Sequence, residues 1–245
     1  MIVEKEFPLP DGSIHYRLRK GSGPLLVFIY GGLGQIDQHT WDELIELLPE
    51  ETSILTFDRP GIGKNKKSGL PRTAENVTSE LKSLLDSLDF DSHILIGHSI
   101  GGLYARYYAC RFPQKVAGLV LLDSTHEDQL EKGKKYYDPG ALEAGRKSAA
   151  DNPEGIQLPE DLDTSFSQMR KYRLPENVKT VIAVAKESLP PQIPGADKLN
   201  ELNVNLHHEL SRVSSNCDFH VIENTSHMIY MEQPQKTVEI IKSVL

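Results

Sequence analysis

The chain has 245 residues, enough for one large domain or two small ones, and its apolar and charged fractions of 38% and 25% are ordinary for a globular protein. Its formal net charge of −8 argues against nucleic acid or an anionic membrane surface as a partner, because basic surfaces bind those. No apolar run approaches the roughly 18 residues that cross a bilayer, so we expect no membrane span.

Apolar runs alternate with amphipathic stretches along the chain. Extended segments around Val3–Phe7 and Ile14–Arg19, joined at Pro10-Asp11-Gly12, predict a hairpin. Continuous apolar runs then predict buried strands, and apolar stripes at helical spacing predict helices. In chain order these are a strand at 25–29, a helix at 41–48, a strand at 53–57, a helix at 73–88, a strand at 94–96, a helix at 102–111, strands at 116–122, 178–184 and 219–222, and a helix at 237–245. This alternation predicts an α/β fold with a mostly parallel central sheet and helices on both faces.

The alternation breaks between residues 125 and 176. This stretch is rich in Lys, Glu and Asp, contains Pro139, Pro153 and Pro159, and has few apolar runs. We therefore predict a core domain of residues 1–124 and 177–245, with an insertion at 125–176 carried above the sheet.

The segment Gly97-His98-Ser99-Ile100-Gly101 stands between a predicted strand and a predicted helix. A Gly-x-Ser-x-Gly in that context predicts a nucleophile elbow, a sharp turn whose strained serine projects its hydroxyl out of the sheet. Glycine is needed at both flanks, because side chains there would collide with the strand and the helix. The sequence therefore makes Ser99 the candidate nucleophile, while His98 is expected to make a structural hydrogen bond.

A serine nucleophile needs a base that takes its proton and an acid that orients this base. His227 is the candidate base, because it lies between the last predicted strand and helix and fits the chain order Ser, acid, His. Asp123 is the preferred acid, since it ends a predicted strand between Ser99 and His227. Glu187, which ends the following strand, is the alternative acid, and Asp128 is a weaker option.

The same chemistry needs backbone N–H groups that stabilise a tetrahedral oxyanion. Ile100 follows the nucleophile at the N-terminus of a helix, whose dipole favours negative charge. A second donor is expected from Gly32 or Leu33, in the loop Tyr30-Gly31-Gly32-Leu33-Gly34, because glycine lets the backbone approach a substrate closely.

Over nearly its whole length the chain resembles the α/β-hydrolase fold family. The resemblance rests on the glycine-rich loop at residues 30–34, the turn Asp58-Arg59-Pro60-Gly61-Ile62-Gly63, the elbow and Ser226-His227-Met228, which come in the family's order. It implies a serine hydrolase that cleaves an ester, thioester, lactone or amide through an acyl-enzyme. It also implies a helical lid inserted after the sixth strand.

The chain departs from the family pattern at two places. Tyr30 stands where members usually have histidine, and Ala185-Lys186-Glu187-Ser188 replaces the usual Gly-x-x-Asp after the seventh strand. The second departure is the main reason to prefer Asp123, a placement that some members use. Because the nucleophile is serine, the family's aspartate-dependent haloalkane dehalogenases and epoxide hydrolases are disfavoured.

The lid, residues 125–176, is expected to lie over Ser99 and to select the substrate. Its large apolar side chains either line an acyl pocket or form a small core of the lid itself; they are Tyr136, Tyr137, Leu142, Phe166, Met169 and Tyr172.

The leading hypothesis is a carboxylic-ester hydrolase for a small or medium substrate, without cofactor or metal. The N-terminus lacks a signal-peptide core and two cysteines make no disulfide framework, so a cytoplasmic location is expected. One alternative is a proline-iminopeptidase-like aminopeptidase, whose lid would hold a substrate amine through acids such as Glu127, Asp128, Glu131 or Glu160. The other is a small-molecule receptor that keeps the fold without useful turnover.

Overall fold

A computed structural model of the chain describes residues 1–32, 37–63, 65, 68–137, 140 and 160–245. Within these ranges the strands are β1 Val3–Leu9, β2 Gly12–Arg19, β3 Ser22–Ile29, β4 Thr52–Phe57, β5 His93–His98, β6 Val116–Leu122, β7 Lys179–Ala185 and β8 Cys217–Ile222. The helices are α1 Asp42–Glu46, α2 Ala74–Asp86, α3 Ile100–Arg111, α4 Gln129–Gly133, α5 Leu162–Met169, α6 Ala196–Ser211, α7 Ile229–Glu232 and α8 Pro234–Lys242, with a 3₁₀ turn at Pro113–Lys115. No helix of the described ranges is long and apolar enough to cross a membrane.

The strands form one sheet in the order β1-β2-β4-β3-β5-β6-β7-β8. β1 and β2 run antiparallel to their neighbours, and all the other pairs are parallel. The predicted mostly parallel α/β sheet is therefore confirmed. Because the carboxyl ends of the parallel strands share one edge, the loops after β3 to β8 meet there, where sheets of this kind bind their ligands.

Alternate residues of each strand face opposite sides of the sheet, and both sides are covered. On β3, Leu26 and Phe28 belong to a core with α1 and α8, whereas Leu25 and Val27 belong to a second core with α2 and α3. The continuous apolar pattern of β3 follows from this burial on both faces.

The hydrophobic pattern predicts no helix at residues 196–211, yet α6 is the longest helix in the described part of the chain. Its buried face carries Asn200, Asn203 and His207 beside Leu199 and Leu206. Because these polar residues interrupt the buried face, the sequence lacks the regular spacing of apolar residues that predicts a helix.

The segment 125–176, predicted to be an insertion, is described only at its two ends. α4 packs against α6, and α5 packs against α2. Phe166 and Met169 are buried in a cluster with residues of α2 and α3. Leu130 and Leu162, from the same segment, pack against this cluster. Leu142 lies outside the described residues.

Four buried histidines make the fold sensitive to acid. Burial lowers the pKa of His93 to about 4 and the pKa values of His98 and His126 to about 3, and it also lowers the pKa of His207. Below about pH 6.5 these histidines bind protons in the unfolded chain but stay neutral in the folded one. The free energy of unfolding therefore decreases as the pH is lowered, by roughly 1 kcal/mol per pH unit for each ring. Urea unfolding at about pH 7 and about pH 5 should show this loss.

A matched pair of variants separates these rings from other acid effects. His93→Gln should reduce the pH dependence by roughly 1 kcal/mol per pH unit, because one of the four buried rings is gone. The control His208→Gln, at an exposed position on α6, should leave it unchanged. Equal pH dependence in His93→Gln and the wild type would contradict this account.

Candidate active site

Ser99 lies between β5 and α3 with a strained backbone, at φ 56° and ψ −129°. A Cβ on Gly97 would lie 2.6 Å from the carbonyl oxygen of Gly101, and one on Gly101 would lie 2.2 Å from that of Ile29. Only glycine fits at either position. The two glycines therefore allow the sharp turn that presents the hydroxyl of Ser99.

His227 and Asp123 come from loops on the same edge of the sheet. His227 follows β8, Asp123 follows β6 directly, and His227 Nδ1 lies 2.6 Å from Asp123 Oδ2. Asp123 is 2% exposed. Burial alone would raise the pKa of this carboxyl, but hydrogen bonds from His227 and Ser188 and the charge of His227 hold it below its ordinary value. The carboxylate therefore stays ionised beside the imidazole.

Asp123 accepts hydrogen bonds on both of its oxygens. Oδ1 accepts from the backbone N–H of Ala185 and from Asn203 Nδ2, each at 3.1 Å. Oδ2 accepts from Ser188 Oγ at 2.5 Å, in addition to His227. Together these donors fix the orientation of the carboxylate.

Sequence reasoning does not identify Ser188 or Asn203 as site residues. Ser188 stands where the family's usual Gly-x-x-Asp has its aspartate, and that departure is the one signal that could have found it. Asn203 lies on α6, 80 residues from its partner Asp123. Asn200, one turn earlier on α6, holds the backbone N–H and carbonyl of Leu189 at 2.9 and 3.0 Å.

The other two candidate acids lie apart from His227. Glu187 is exposed at the turn after β7 and does not border the cavity around Ser99. Asp128 pairs with Arg170 at 3.0 Å. The geometry therefore joins His227 to Asp123 and to neither alternative.

His98 makes the structural hydrogen bond expected of it. Its Nε2 donates to the backbone carbonyl of His227 at 2.9 Å, and its ring packs 4.5 Å from the ring of His227. Burial, and next the charge of His227, lowers the pKa of His98 to about 3, so the ring stays neutral. A neutral ring with Nε2–H as donor braces the loop that carries the candidate base.

The loop after β3 lies against the nucleophile. A Cβ on Gly31 would lie 3.4 Å from Ser99 Oγ, and one on Gly32 would lie 3.1 Å from the side chain of Ile100. Ile100 is the first residue of α3. Leu33 lies outside the described residues. Tyr30, in the place of the family's usual histidine, donates its hydroxyl to Asp58 at 3.1 Å.

Ser99, Asp123 and His227 line one cavity of about 270 Å³. The other described residues that line the cavity follow β6 in the chain and include Thr125, Gln129, Tyr137, Leu189 and Leu199. Apart from Asp123 and His227, the described residues that line it are uncharged. Within the described ranges, no group of three or more His, Cys, Asp or Glu could hold a metal ion.

The four acids considered for an amine-binding lid are all engaged by arginines. The ion pairs are Glu127 with Arg106, Asp128 and Glu131 with Arg170, and Glu160 with Arg59. None of the four lines the cavity around Ser99. These four carboxylates are thus engaged in ion pairs outside the cavity and are not available to a substrate amine.

Comparisons with known proteins agree with this architecture. The model of the alpha/beta hydrolase fold family matches residues 24–180, more than half of the chain. The chain is 34% identical over 122 residues to YqjL of Bacillus subtilis (strain 168), which is 49% of this chain and 48% of that protein. It is 34% identical over 125 residues to a serine hydrolase-like protein of Mus musculus, 50% of this chain and 40% of that protein. The chain thus spans about half the length of these relatives or less.

A solved structure extends the similarity to the whole fold. The crystal structure of a hydrolase from Pseudomonas aeruginosa PA01 superposes with a TM-score of 0.67 at 18% identity, covering 98% of this chain and 97% of that one. Similarity at this level of identity establishes the fold alone. Together with the match over residues 24–180, it shows that the chain belongs to the α/β-hydrolase fold family.

Proposed function

We propose that this protein is a serine hydrolase that cleaves a small, uncharged carboxylic ester through an acyl-enzyme intermediate. The observation that carries the proposal is the arrangement at the sheet edge: His227 Nδ1 lies 2.6 Å from Asp123, and both line one cavity with Ser99. The strained backbone of Ser99 adds support, because strain of this kind is held where a side chain must be presented for chemistry.

In the acylation half of the reaction, Ser99 Oγ attacks the ester carbonyl carbon while its proton moves to His227 Nε2. The ionised Asp123 accepts from Nδ1–H, which leaves the Nε2 lone pair free and stabilises the imidazolium that forms. The tetrahedral oxyanion accepts from the N–H of Ile100 and from that of Gly32 or Leu33. Collapse breaks the bond to the leaving alcohol, whose oxygen takes the proton from His227.

Deacylation repeats these steps with water as the nucleophile. Water attacks the acyl carbonyl as its proton moves to His227, and the second tetrahedral intermediate uses the same N–H groups. Its collapse releases the carboxylic acid and returns the proton to Ser99 Oγ. His227 takes up and releases every proton, so these reaction steps need no cofactor.

The cavity supports an uncharged substrate. The described lining residues offer no cation for a substrate carboxylate and no free acid for an amine, whereas Thr125, Gln129 and Tyr137 offer neutral polar groups. A thioester or lactone of similar size would undergo the same steps. The paired states of Glu127, Asp128, Glu131 and Glu160 disfavour the aminopeptidase alternative.

We further propose that residues 125–176 form a lid domain on the core of residues 1–124 and 177–245. Gln129 and Tyr137 support this, because they reach the cavity from the first part of that segment. A cytoplasmic location is also proposed, and the free thiols of Cys110 and Cys217 are compatible with its reducing conditions.

Labelling with a fluorophosphonate tests the proposed nucleophile. We expect one adduct on the intact wild-type protein, because only a serine activated by its neighbours reacts quickly with this reagent. Ser99→Ala should form none, while the control Ser83→Ala, at an exposed serine on α2, should be labelled like the wild type. A folded wild-type protein that remains unlabelled would contradict the proposal and favour a receptor without turnover.

A further inference from the structure

A buried arginine holds the loop that follows β3. Arg59 comes two residues after β4, and the residue is 1% exposed. Its guanidinium donates to the carbonyl oxygen of Tyr30 at 2.6 Å and to that of Gly31 at 2.8 Å. β3 and β4 are parallel neighbours, so the residues that follow them leave the sheet at the same edge. One side chain thus fixes two consecutive peptide groups beside the candidate nucleophile.

The guanidinium is itself held from the other side. Its Nη2 lies 3.2 Å from Oε1 of Glu160, and the second oxygen of Glu160 accepts from the hydroxyl of Tyr104. The rings of Tyr30 and Tyr104 face the guanidinium carbon at 5.0 and 5.5 Å. Burial by itself would lower the pKa of Arg59, but Glu160 and the two tyrosines hold it above its ordinary value, so the side chain stays charged.

The direction of the two carbonyls fixes the direction of the N–H groups. In a trans peptide the C=O and the N–H point to opposite sides, and no peptide of the described residues is cis. Since the Gly31 carbonyl points at Arg59, the N–H of Gly32 points away from it. Gly31 borders the nucleophile, because a Cβ there would lie 3.0 Å from Ser99 Cβ.

The charge of Arg59 also acts through these peptides. A cation that donates a hydrogen bond to a peptide oxygen polarises the peptide group, and hydrogen bonds in such a chain strengthen one another. The N–H on the far side therefore becomes a better donor for negative charge than an unassisted peptide would be.

We propose that Arg59 is a positioning residue that holds the loop after β3, so that the N–H of Gly32 is turned towards the oxyanion formed at Ser99. Arg59 does not touch the substrate. Glu160 holds Arg59 in place and so ties the end of the 125–176 segment to this loop. The inference rests on the proposed hydrolase function and assigns a role to the Asp-Arg-Pro-Gly turn, which that function leaves unexplained.

Steady-state hydrolysis of p-nitrophenyl acetate by Arg59→Lys tests this role. Lysine keeps the charge but lacks the planar fork that holds two carbonyls and a carboxylate together. We expect kcat to fall about 10- to 100-fold with KM within about threefold, because the lost alignment acts on the transition state. The inhibition constant of phenylboronic acid, whose serine adduct places an oxygen in the oxyanion site, should rise by the same factor as kcat/KM falls.

A second buried arginine supplies the control. Arg72 is 3% exposed and pairs with Glu80 at 2.9 Å, and its side chain makes no hydrogen bond to a carbonyl among the described residues of the loop after β3. Arg72→Lys should lower stability as Arg59→Lys does, but leave kcat within about twofold of the wild type. A merely structural role of Arg59 would make the two variants kinetically alike.

The outcomes separate this role from the proposed function. Wild-type turnover with an unchanged kcat in Arg59→Lys would overturn the positioning role alone. Absence of both turnover and fluorophosphonate labelling in the wild type would overturn the proposed function and this role with it. If Arg59→Lys does not fold, Glu160→Gln decides, since it keeps the shape of the side chain; we expect kcat to fall about 3- to 10-fold, and an unchanged kcat would contradict the role.

Discussion

Replacing Ser99 by alanine should lower kcat for ester hydrolysis by at least about 10⁴-fold while the protein stays folded. The expected loss is large because the hydroxyl forms the covalent bond to the substrate, and no neighbouring group can replace it. The residual rate would come from the oxyanion site and from substrate binding alone. Burst and steady-state kinetics with p-nitrophenyl acetate measure both the acyl-enzyme and its turnover.

The backbone of Ser99 allows a second, independent readout. At φ 56° and ψ −129° serine and alanine are equally strained, whereas glycine is not. Ser99→Gly should therefore be as inactive as Ser99→Ala, yet more stable than it by roughly 1 kcal/mol, since relief of strain outweighs the greater entropy of unfolded glycine. Hydrolysis by Ser99→Ala close to that of the wild type would show that the nucleophile has been misassigned.

Features of the fold that depend on local patterns could be predicted from the sequence. The apolar run at 116–122 coincides with β6. Thr73, the first residue of the helix predicted at 73–88, caps α2, its side chain accepting from the N–H of Asn76 at 3.2 Å. The glycines around Ser99 also signal their role directly, because the elbow leaves no room for a Cβ. In each case the residues whose pattern predicts the strand, cap or turn are the same residues that form it.

Features that depend on distant partners could not be predicted. Ser188 and Asn203 gain meaning only from Asp123, which lies 65 and 80 residues away in the chain. α6 is hidden because Asn200 and Asn203 occupy its buried face, where a helix pattern has apolar residues. These polar residues on the buried face of α6 are the ones that orient the candidate acid and the loop beside it. The apolar pattern that predicts a helix is therefore interrupted at the residues that support the candidate site.

The role of Asp123 yields the second large effect. Asp123→Asn should lower kcat by about 10³- to 10⁴-fold, because a neutral amide neither stabilises the imidazolium nor enforces the Nδ1–H tautomer. Glu187→Gln should leave kcat within about twofold, since Glu187 is exposed and away from the cavity. The two variants differ from the wild type by the same chemical change, so each controls for the other.

The position of Ser188 allows a sharper test, in which the acid is moved rather than removed. Ser188 Oγ lies 3.4 Å from His227 Nδ1, so a carboxylate at this position is within reach of the imidazole. Ser188→Asp in the Asp123→Asn background should therefore recover about 10- to 100-fold of the lost kcat, because a charge again faces the same nitrogen.

Ser188→Asp in the wild-type background should have the opposite effect. It would place two carboxylates next to each other, and like charges so close cannot both be ionised at little cost, so one of them binds a proton. A gain in one background and a loss in the other would show that the charge opposite His227 Nδ1 matters, rather than the shape of residue 188. If instead Glu187→Gln loses more activity than Asp123→Asn, the acid lies after β7, and the short contact between Asp123 and His227 has only a structural role.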